Sequence, residues 1–496
     1  MVSLIFPKDI SEAKQLAAQV KLGKLNRIRQ GIYTDANPDQ ISALVTSRWY
    51  EIVEHLCDQP VAAYRTAVEL KPHRGRVFVV ANVQKRRRLA VTSELIIDVL
   101  PGNSKLLTEP FVPALLRSAL PRQLMENLTS SRSRAEAIKS LGRSWVEQTL
   151  SKFYLMRGEI VLNEIRDQAR TAAKALGLAA EFIQLDKMIS ALLTTRPIEN
   201  HLTTRLAIAT AKGEPFDAQR LQRFELLADY LNQCSFEPVP YIYNAASWRN
   251  MAFFESYFSN FIEGTEFLIE EAEEIVFSRH LIESRHADSH DIMAVFDLVS
   301  DYQEMSITSD SADAFIKLLQ KNHQLMMVQR PDKHPGVFKA KPNQAGDSIF
   351  VLPDYLIGTL TQGFKLYQTV SPGLARAIFI QFLVSECHPF DDGNGRLSRI
   401  MLNAELHAAE QHKLIVPTVH RESYLNGLRQ ATREGKFRTL VKVFFQLQRY
   451  TAALEWSDYG EVRKQLESHK AHRLPDEGLA EFNRHIRHYQ MDFPVS

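Results

Sequence analysis

The chain has 496 residues, is 45% hydrophobic and 24% charged, and carries a formal net charge of +2. That length allows about three domains with sizeable cores, and the near-neutral balance excludes partner binding driven by whole-molecule charge. Three widely spaced cysteines (Cys57, Cys234, Cys387) exclude a disulfide framework and a cysteine zinc site, and suit a reducing cytoplasm.

The opening MVSLIFPKDISEAK lacks the basic stretch and long apolar run of a signal peptide, and no run of about 18 apolar residues predicts a membrane span. Residues 1–125 read as a mixed α/β domain. SEAKQLAAQVKLGKL (11–25) has helical character, LNRIRQGIYTD (25–35) alternates like a strand, and GRVFVVANV (75–83) and ELIIDVL (94–100) are strand candidates. Residues 1–150 hold 22 Lys and Arg against 14 Asp and Glu, a local excess of +8, which leaves −6 for the remainder. From about 126 to 240 the pattern turns to long helices, including AEAIKSLGRSWVEQTLSKFYLMRG and VLNEIRDQARTAAKALG. Pro197, Pro215, Pro238 and Pro240 punctuate the approach to a third, mainly helical region over 241–456. Within it GVFKAKPNQAGDSIFVLP (336–353) predicts a β-hairpin. Residues 457–496 read as a polar tail.

The stretch HPFDDGNGRLSR (388–399) joins two predicted helices, SPGLARAIFIQFLVSE and NGRLSRIMLNAELHAAEQ. A helix start presents unpaired N–H groups and a partial positive charge, which attract phosphate. Gly393 and Gly395 let oxygens approach the backbone, and Asn394 can cap the helix or bond a phosphate. Arg396 and Arg399 lie three apart, as neighbours on one face suited to gripping phosphate oxygens. Asp392 offers a hard oxygen to Mg²⁺, and His388 is a candidate general base. Pro389 restricts the loop and Phe390 pins it into the core. Each residue alone has an ordinary structural explanation. Their conjunction points to a phosphate site beside a base.

This stretch resembles the signature HxFx(D/E)GNGRxxR of the Fic (filamentation induced by cAMP) family at every specified position. The resemblance spans roughly 241–456, takes in the predicted hairpin as the family's substrate-positioning flap, and extends to VPTVHRESYLNGLRQA. Where relatives often have Arg in the strand opening the flap, this chain has Lys339. The resemblance implies an all-helical catalytic domain with a hairpin flap, which follows the helical region and the small α/β domain read above. It implies transfer of AMP from ATP to a protein hydroxyl, with pyrophosphate released. His388 would deprotonate the hydroxyl, Asp392 would hold Mg²⁺, and Gly393, Asn394 and Gly395 would form the anion hole. Arg396 would bind the β-phosphate and Arg399 the γ-phosphate.

SNFIEG (259–264) fits the family's inhibitory pattern (S/T)xxxE(G/N). Ser259 and Glu263 lie four apart, on one helical face. The expectation is that Ser259, Glu263 and Gly264 form an inhibitory segment whose carboxylate pairs with Arg399 and displaces the γ-phosphate. It can act within one chain or across a homodimer. His407 and His412 are five apart, too far around a helix to share one metal ion, and no P-loop is present.

AQVKLGKLNRIRQGIYTD (18–35) resembles the winged-helix start of abortive-infection antitoxins and related regulators, although such modules carry two more helices before this point. Lys21, Lys24, Arg27 and Arg29, with Lys85 to Arg88, could then contact a DNA backbone. The leading expectation is a cytoplasmic, auto-inhibited protein adenylyltransferase using ATP and Mg²⁺. Its partner is a protein with a Ser, Thr or Tyr hydroxyl, with self-modification included and no membrane. The alternatives are removal of AMP or another nucleotidyl or phosphoryl transfer, a DNA-binding regulator that senses nucleotide, and a catalytically silent interaction module.

Overall fold

The computed structural model describes residues 2–113, 115–130, 138–346 and 348–494. It divides into two compact units, Met1–Gly213 and Glu214–Ser496.

In the first unit, β1 (Leu4–Ile5), β2 (Asn26–Arg29) and β3 (Ile32–Thr34) form an antiparallel sheet in the order β1-β3-β2. The stretch 25–35 is therefore a hairpin and not one strand, because Gly31 takes φ +80° and turns the chain. One helix, Ile10–Lys21, precedes the hairpin, started by Asp9, whose side chain accepts from Glu12 N.

The larger sheet holds β4 (Val61–Ala62), β5 (Arg76–Ala81), β6 (Arg87–Ala90), β7 (Ile96–Pro101), β8 (Thr108–Val112) and β9 (Leu115–Ser118), in the order β6-β7-β5-β4-β9-β8. β5 runs parallel to β7, and β4 to β9; the other pairs are antiparallel. Val77, Val79, Ile97 and Val99 pack with Trp49 and Ile52 in one cluster, while Phe78, Val80 and Leu100 join a second. Burial on both faces explains why β5 and β7 read as apolar runs. Asp98 is the exception. Fully buried in β7, it meets Arg86 at 2.6 Å, Arg88 at 3.3 Å and Arg76 at 3.5 Å. Two members of the basic run 85–88 are thus tied to a buried carboxylate.

Past the sheets, helices Leu120–Leu128, Arg143–Ala173, Ala179–Leu192 and Arg205–Ala211 share a core that includes Leu150, Ile165, Leu185 and Ile189. The long helix breaks at Gly158 (φ 72°), the point where the two predicted helical patterns meet. Residues 135–137 of the first pattern lie outside the described residues.

In the second unit the helices Leu374–Cys387 and Asn394–Ala408 form the centre. Nearly every side chain of the first is buried, so it reads as apolar all round. Helix Ala218–Gln233 packs Phe224 edge-on against Phe379 and Phe382, with centroids 6.3 and 6.1 Å apart. Asp217 N donates to Thr359 Oγ1 at 2.9 Å, and His412 N to Val239 O at 2.8 Å. Residues 214–240, expected to close a helical domain over 126–240, therefore belong to this unit. The expected tail carries helices Tyr459–Ser468 and Pro475–Ile486, which bury Val462, Leu466, Phe482 and Ile486. About one buried residue per turn seats these helices while their composition stays polar. The predicted hairpin is present as β10 (Gln344–Ala345) paired with β11 (Ser348–Ile349). Among the described residues no helix is long and apolar enough to cross a membrane.

Candidate active site

Helix Leu374–Cys387 ends where His388 takes a left-handed conformation (φ 46°, ψ 60°), with its N–H still bonded to Val384 O at 2.9 Å. The next helix starts after Gly393 (φ 74°), where a Cβ would come within 2.8 Å of Met326 Cε and 3.0 Å of Met327 Sδ. The left-handed backbone strains any side chain there, and one would also have to push the methionine ends aside. Asn394 folds the loop between them. Its Oδ1 accepts from Phe390 N at 2.9 Å and its Nδ2 donates to Phe390 O at 2.8 Å, so it holds the loop and does not cap the helix.

Phe390 is fully buried and lies flat on His323, with centroids 3.7 Å apart. His323 Nδ1 accepts from Gly336 N at 2.9 Å, so Nε2 carries the proton and donates to Asp392 O at 3.0 Å. Burial pushes His323 down to about 4, which preserves this neutral tautomer. His323 thus fixes both the aromatic anchor and the backbone of the acidic residue.

The flap is stitched to the same loop. Lys339 N donates to Pro389 O at 2.9 Å, and its Nζ donates to Asn343 Oδ1 at 2.7 Å and Cys387 O at 3.1 Å. Asn343 Nδ2 bonds the carbonyls of His388 (3.2 Å) and Phe390 (3.0 Å). Phe350 stacks on the His388 ring at 3.8 Å, 2° from parallel. From the other side Arg220 bonds Glu386 and, at 2.6 Å, the carbonyl of Ile349 in β11.

A cavity of about 430 Å³ opens beside this loop, lined among others by His388, Gly395, Arg399, Glu263, Tyr424 and Phe350. Burial first, and the charge of Lys339 second, push His388 down to about 4, so its imidazole is neutral near pH 7 and free to accept a proton. Asp392 is exposed. Its Oδ1 accepts from Gly393 N at 2.6 Å, and its other oxygen remains available to a hard cation.

The expected inhibitory segment reaches this cavity. Helix Ala245–Ile262 ends with Glu263 in the cap position, and Gly264 (φ 94°) reverses the chain. Arg399 Nε donates to Ser259 Oγ at 3.0 Å. Its Nη2 donates to Ser259 O at 2.9 Å and to Glu263 Oε1 at 2.7 Å. A Cβ on Gly395 would overlap Glu263 Oε1, so the carboxylate lies directly on the first turn of Asn394–Ala408. An anion is favoured there by the helix terminus as well as by Arg399.

Arg396 behaves differently from its neighbour. It is 4% exposed, lies 3.1 Å from Asp291 Oδ2, and donates to Asn260 Oδ1 at 3.2 Å. It braces the helix start against Ala245–Ile262 and His286–Ser300 and does not line the cavity described above. His407 and His412 also part company, the first bonding Tyr302 O and the second Lys413 O. Among the described residues no group of three His, Cys, Asp or Glu is placed to hold a metal. The residues that reading along the sequence missed are His323, Asn343, Asp291, Arg220 and Tyr424. Asn343, at the turn-rich centre of the predicted hairpin, and Tyr424, within VPTVHRESYLNGLRQA, carried a local signal, and the other three carried none.

Residues 315–406 match the model of the Fic/DOC family. The chain is 25% identical over 240 residues to the protein adenylyltransferase Fic of Drosophila persimilis, covering 46% of this chain and 45% of that one. It is 27% identical over 201 residues to the same-named protein of Drosophila melanogaster, covering 39% and 40%. The matches thus span less than half the length of these curated relatives. Among solved structures, Fic-1 from C. elegans aligns over 65% of this chain and 97% of its own, at 16% identity and a TM-score of 0.36. Residues 315–406, which include the signature stretch and the flap, are therefore a domain of the Fic/DOC family.

Proposed function

We propose that this chain is an auto-inhibited protein adenylyltransferase that moves AMP from Mg-ATP to a Ser, Thr or Tyr hydroxyl of a target protein. The observation that carries this reading is the cavity in which a neutral His388, the side-chain-free backbone at Gly395 and Arg399 face one another. His388 accepts the proton of the target hydroxyl. The hydroxyl oxygen then attacks the α-phosphorus, the bond to the bridging oxygen breaks, and the negative charge leaves with pyrophosphate. The N–H groups of the Gly393–Gly395 turn and the helix start they open stabilise the charge that builds on the phosphates. Arg399 receives the γ-phosphate once Glu263 releases it. The exposed Asp392 carboxylate suits Mg²⁺, which when bound would offset phosphate charge. Arg396 contributes by bracing the helix start, since its guanidinium is committed to Asp291 and Asn260. The flap, tied down by Lys339 and Asn343, is the element placed to lay a target segment beside His388.

The test is transfer of label from α-³²P-ATP in the Glu263→Gly background, with and without His388→Ala. Loss of label on replacing His388 supports the assignment, and labelling at the parental rate removes His388 from the mechanism. A second reading, hydrolytic removal of AMP, is favoured by one observation: Glu263 is 34% exposed in the same cavity and could orient a water. Mass spectrometry of a modified target separates the two readings by mass gained or lost.

A further inference from the structure

A second cavity, of about 690 Å³, lies in the Glu214–Ser496 unit, where helix Arg438–Ala452 faces helix Pro475–Ile486 and the segment that follows it. It is separate from the cavity at His388. Helix Arg421–Glu434 gives Ser423 to this one, and Tyr424, Leu425 and Leu428 to the other.

Three features mark it as a ligand site. First, Arg438, Lys442 and Arg487 all line it, and no carboxylate does. Among the described residues none of the three makes a salt bridge, so the cavity wall carries uncompensated positive charge. Second, His420 lines it, and burial pushes this imidazole down to about 4, so it adds a neutral ring to the wall and no negative charge that would compete with an anion. Third, the same wall carries Tyr489 and Phe493, the latter facing the Arg438 guanidinium at 5.6 Å. Aromatic faces beside guanidinium groups suit a flat ring.

We propose that this cavity binds a phosphate ester of nucleotide size. Guanidinium forks match phosphate oxygens. The volume exceeds what a bare phosphate fills and falls within the range of small-molecule pockets. The aromatic wall would hold a base. A phosphate-only ligand, such as pyrophosphate, shares the cationic part of this chemistry but leaves the aromatic part unused.

Isothermal titration of the full chain with AMP, and separately with inorganic pyrophosphate, tests the assignment in wild type and in Lys442→Gln/Arg487→Gln. Both replaced side chains are exposed, so the melting temperature without ligand should match wild type. The expected result is a saturable AMP-binding component that weakens at least roughly tenfold in the double variant, as loss of two charge-assisted contacts requires. Pyrophosphate binding that is tighter than AMP and equally sensitive would keep the anion site and overturn the nucleotide assignment. Absence of saturable binding by either compound, or binding unchanged in the double variant, would overturn the site itself.

Discussion

Removing the Glu263 carboxylate is the perturbation to which the catalytic cavity should respond most. Its Oε1 lies 2.7 Å from Arg399 Nη2, with the arginine side chain 7% exposed and the glutamate 34%. A hydrogen bond to a charged partner contributes about 1.5–3 kcal/mol, and partial exposure of the carboxylate places this one near about 2 kcal/mol. If the γ-phosphate must displace it, roughly one molecule in 30 is competent to bind ATP productively. Glu263→Gly should therefore raise kcat/KM for ATP roughly 30-fold. The fold should tolerate the change. Glu263 sits in the cap position at φ −86°, and Arg399 keeps both of its bonds to Ser259. The assay is the initial rate of label incorporation from α-³²P-ATP, into added target and into the chain itself, at ATP well below KM. Glu263→Gln, which keeps the size but loses the charge, should fall between the two. Equal rates in folded wild type and Glu263→Gly would refute the claim that this pair holds the site off.

Gly395→Ala should cost the wild type no more than about 2 kcal/mol, because the new Cβ meets only the flexible end of Glu263 and pushes it off Arg399, and should cost still less with Glu263→Gly beside it; thermal melts of the four-member cycle read the difference. The acid limb of kcat/KM should lie near pH 4 and not 6.5, because His388 is held in its neutral form down to about 4; a limb near 6.5 would contradict the buried assignment. Stability should fall on acidification over the same window. His323, His388, His412 and His420 have folded pKa values lowered from 6.5 to about 4, so between those values the unfolded chain binds more protons. Each therefore costs up to roughly 2 kcal/mol between pH 6.5 and 5, readable by chemical denaturation at the two pH values. His323→Ala should lower kcat as well as stability, the latter by about 2–4 kcal/mol, since it removes the stack on Phe390 and the bond to Asp392 O together.

The parts of the site that could be read along the chain share one property: their partners are close in sequence or meet at helical spacing. The turn from His388 to Arg399 is contiguous, and its glycines answer to local backbone demands. Ser259 and Glu263 sit far upstream; their spacing put them on one helical face, the resemblance to the inhibitory pattern linked Glu263 to Arg399, and the bonds from Arg399 to Ser259 were not foreseen. Arg396 marks the limit of such reasoning. Spacing put it on the same face as Arg399, but a carboxylate at Asp291, more than a hundred residues away, decides where its guanidinium goes. His323 and Arg220 were invisible for the same reason, since each acts on the motif through contacts across the fold. In the first unit, β4 is two residues long and still joins β5 to β9, so strand order could not be read from periodicity. The polar run 457–496 hid two packed helices because Val462, Leu466, Phe482 and Ile486 are sparse among charged neighbours.

The most direct measurement of the central claim compares two labels. The Glu263→Gly protein is incubated with α-³²P-ATP in one reaction and γ-³²P-ATP in another, with cell extract as a source of targets and His388→Ala as control. The account predicts that the protein-bound label that is lost when His388 is replaced comes from the α-position alone. Label from the γ-position that disappears when His388 is replaced would mean phosphoryl transfer by this site and would contradict it.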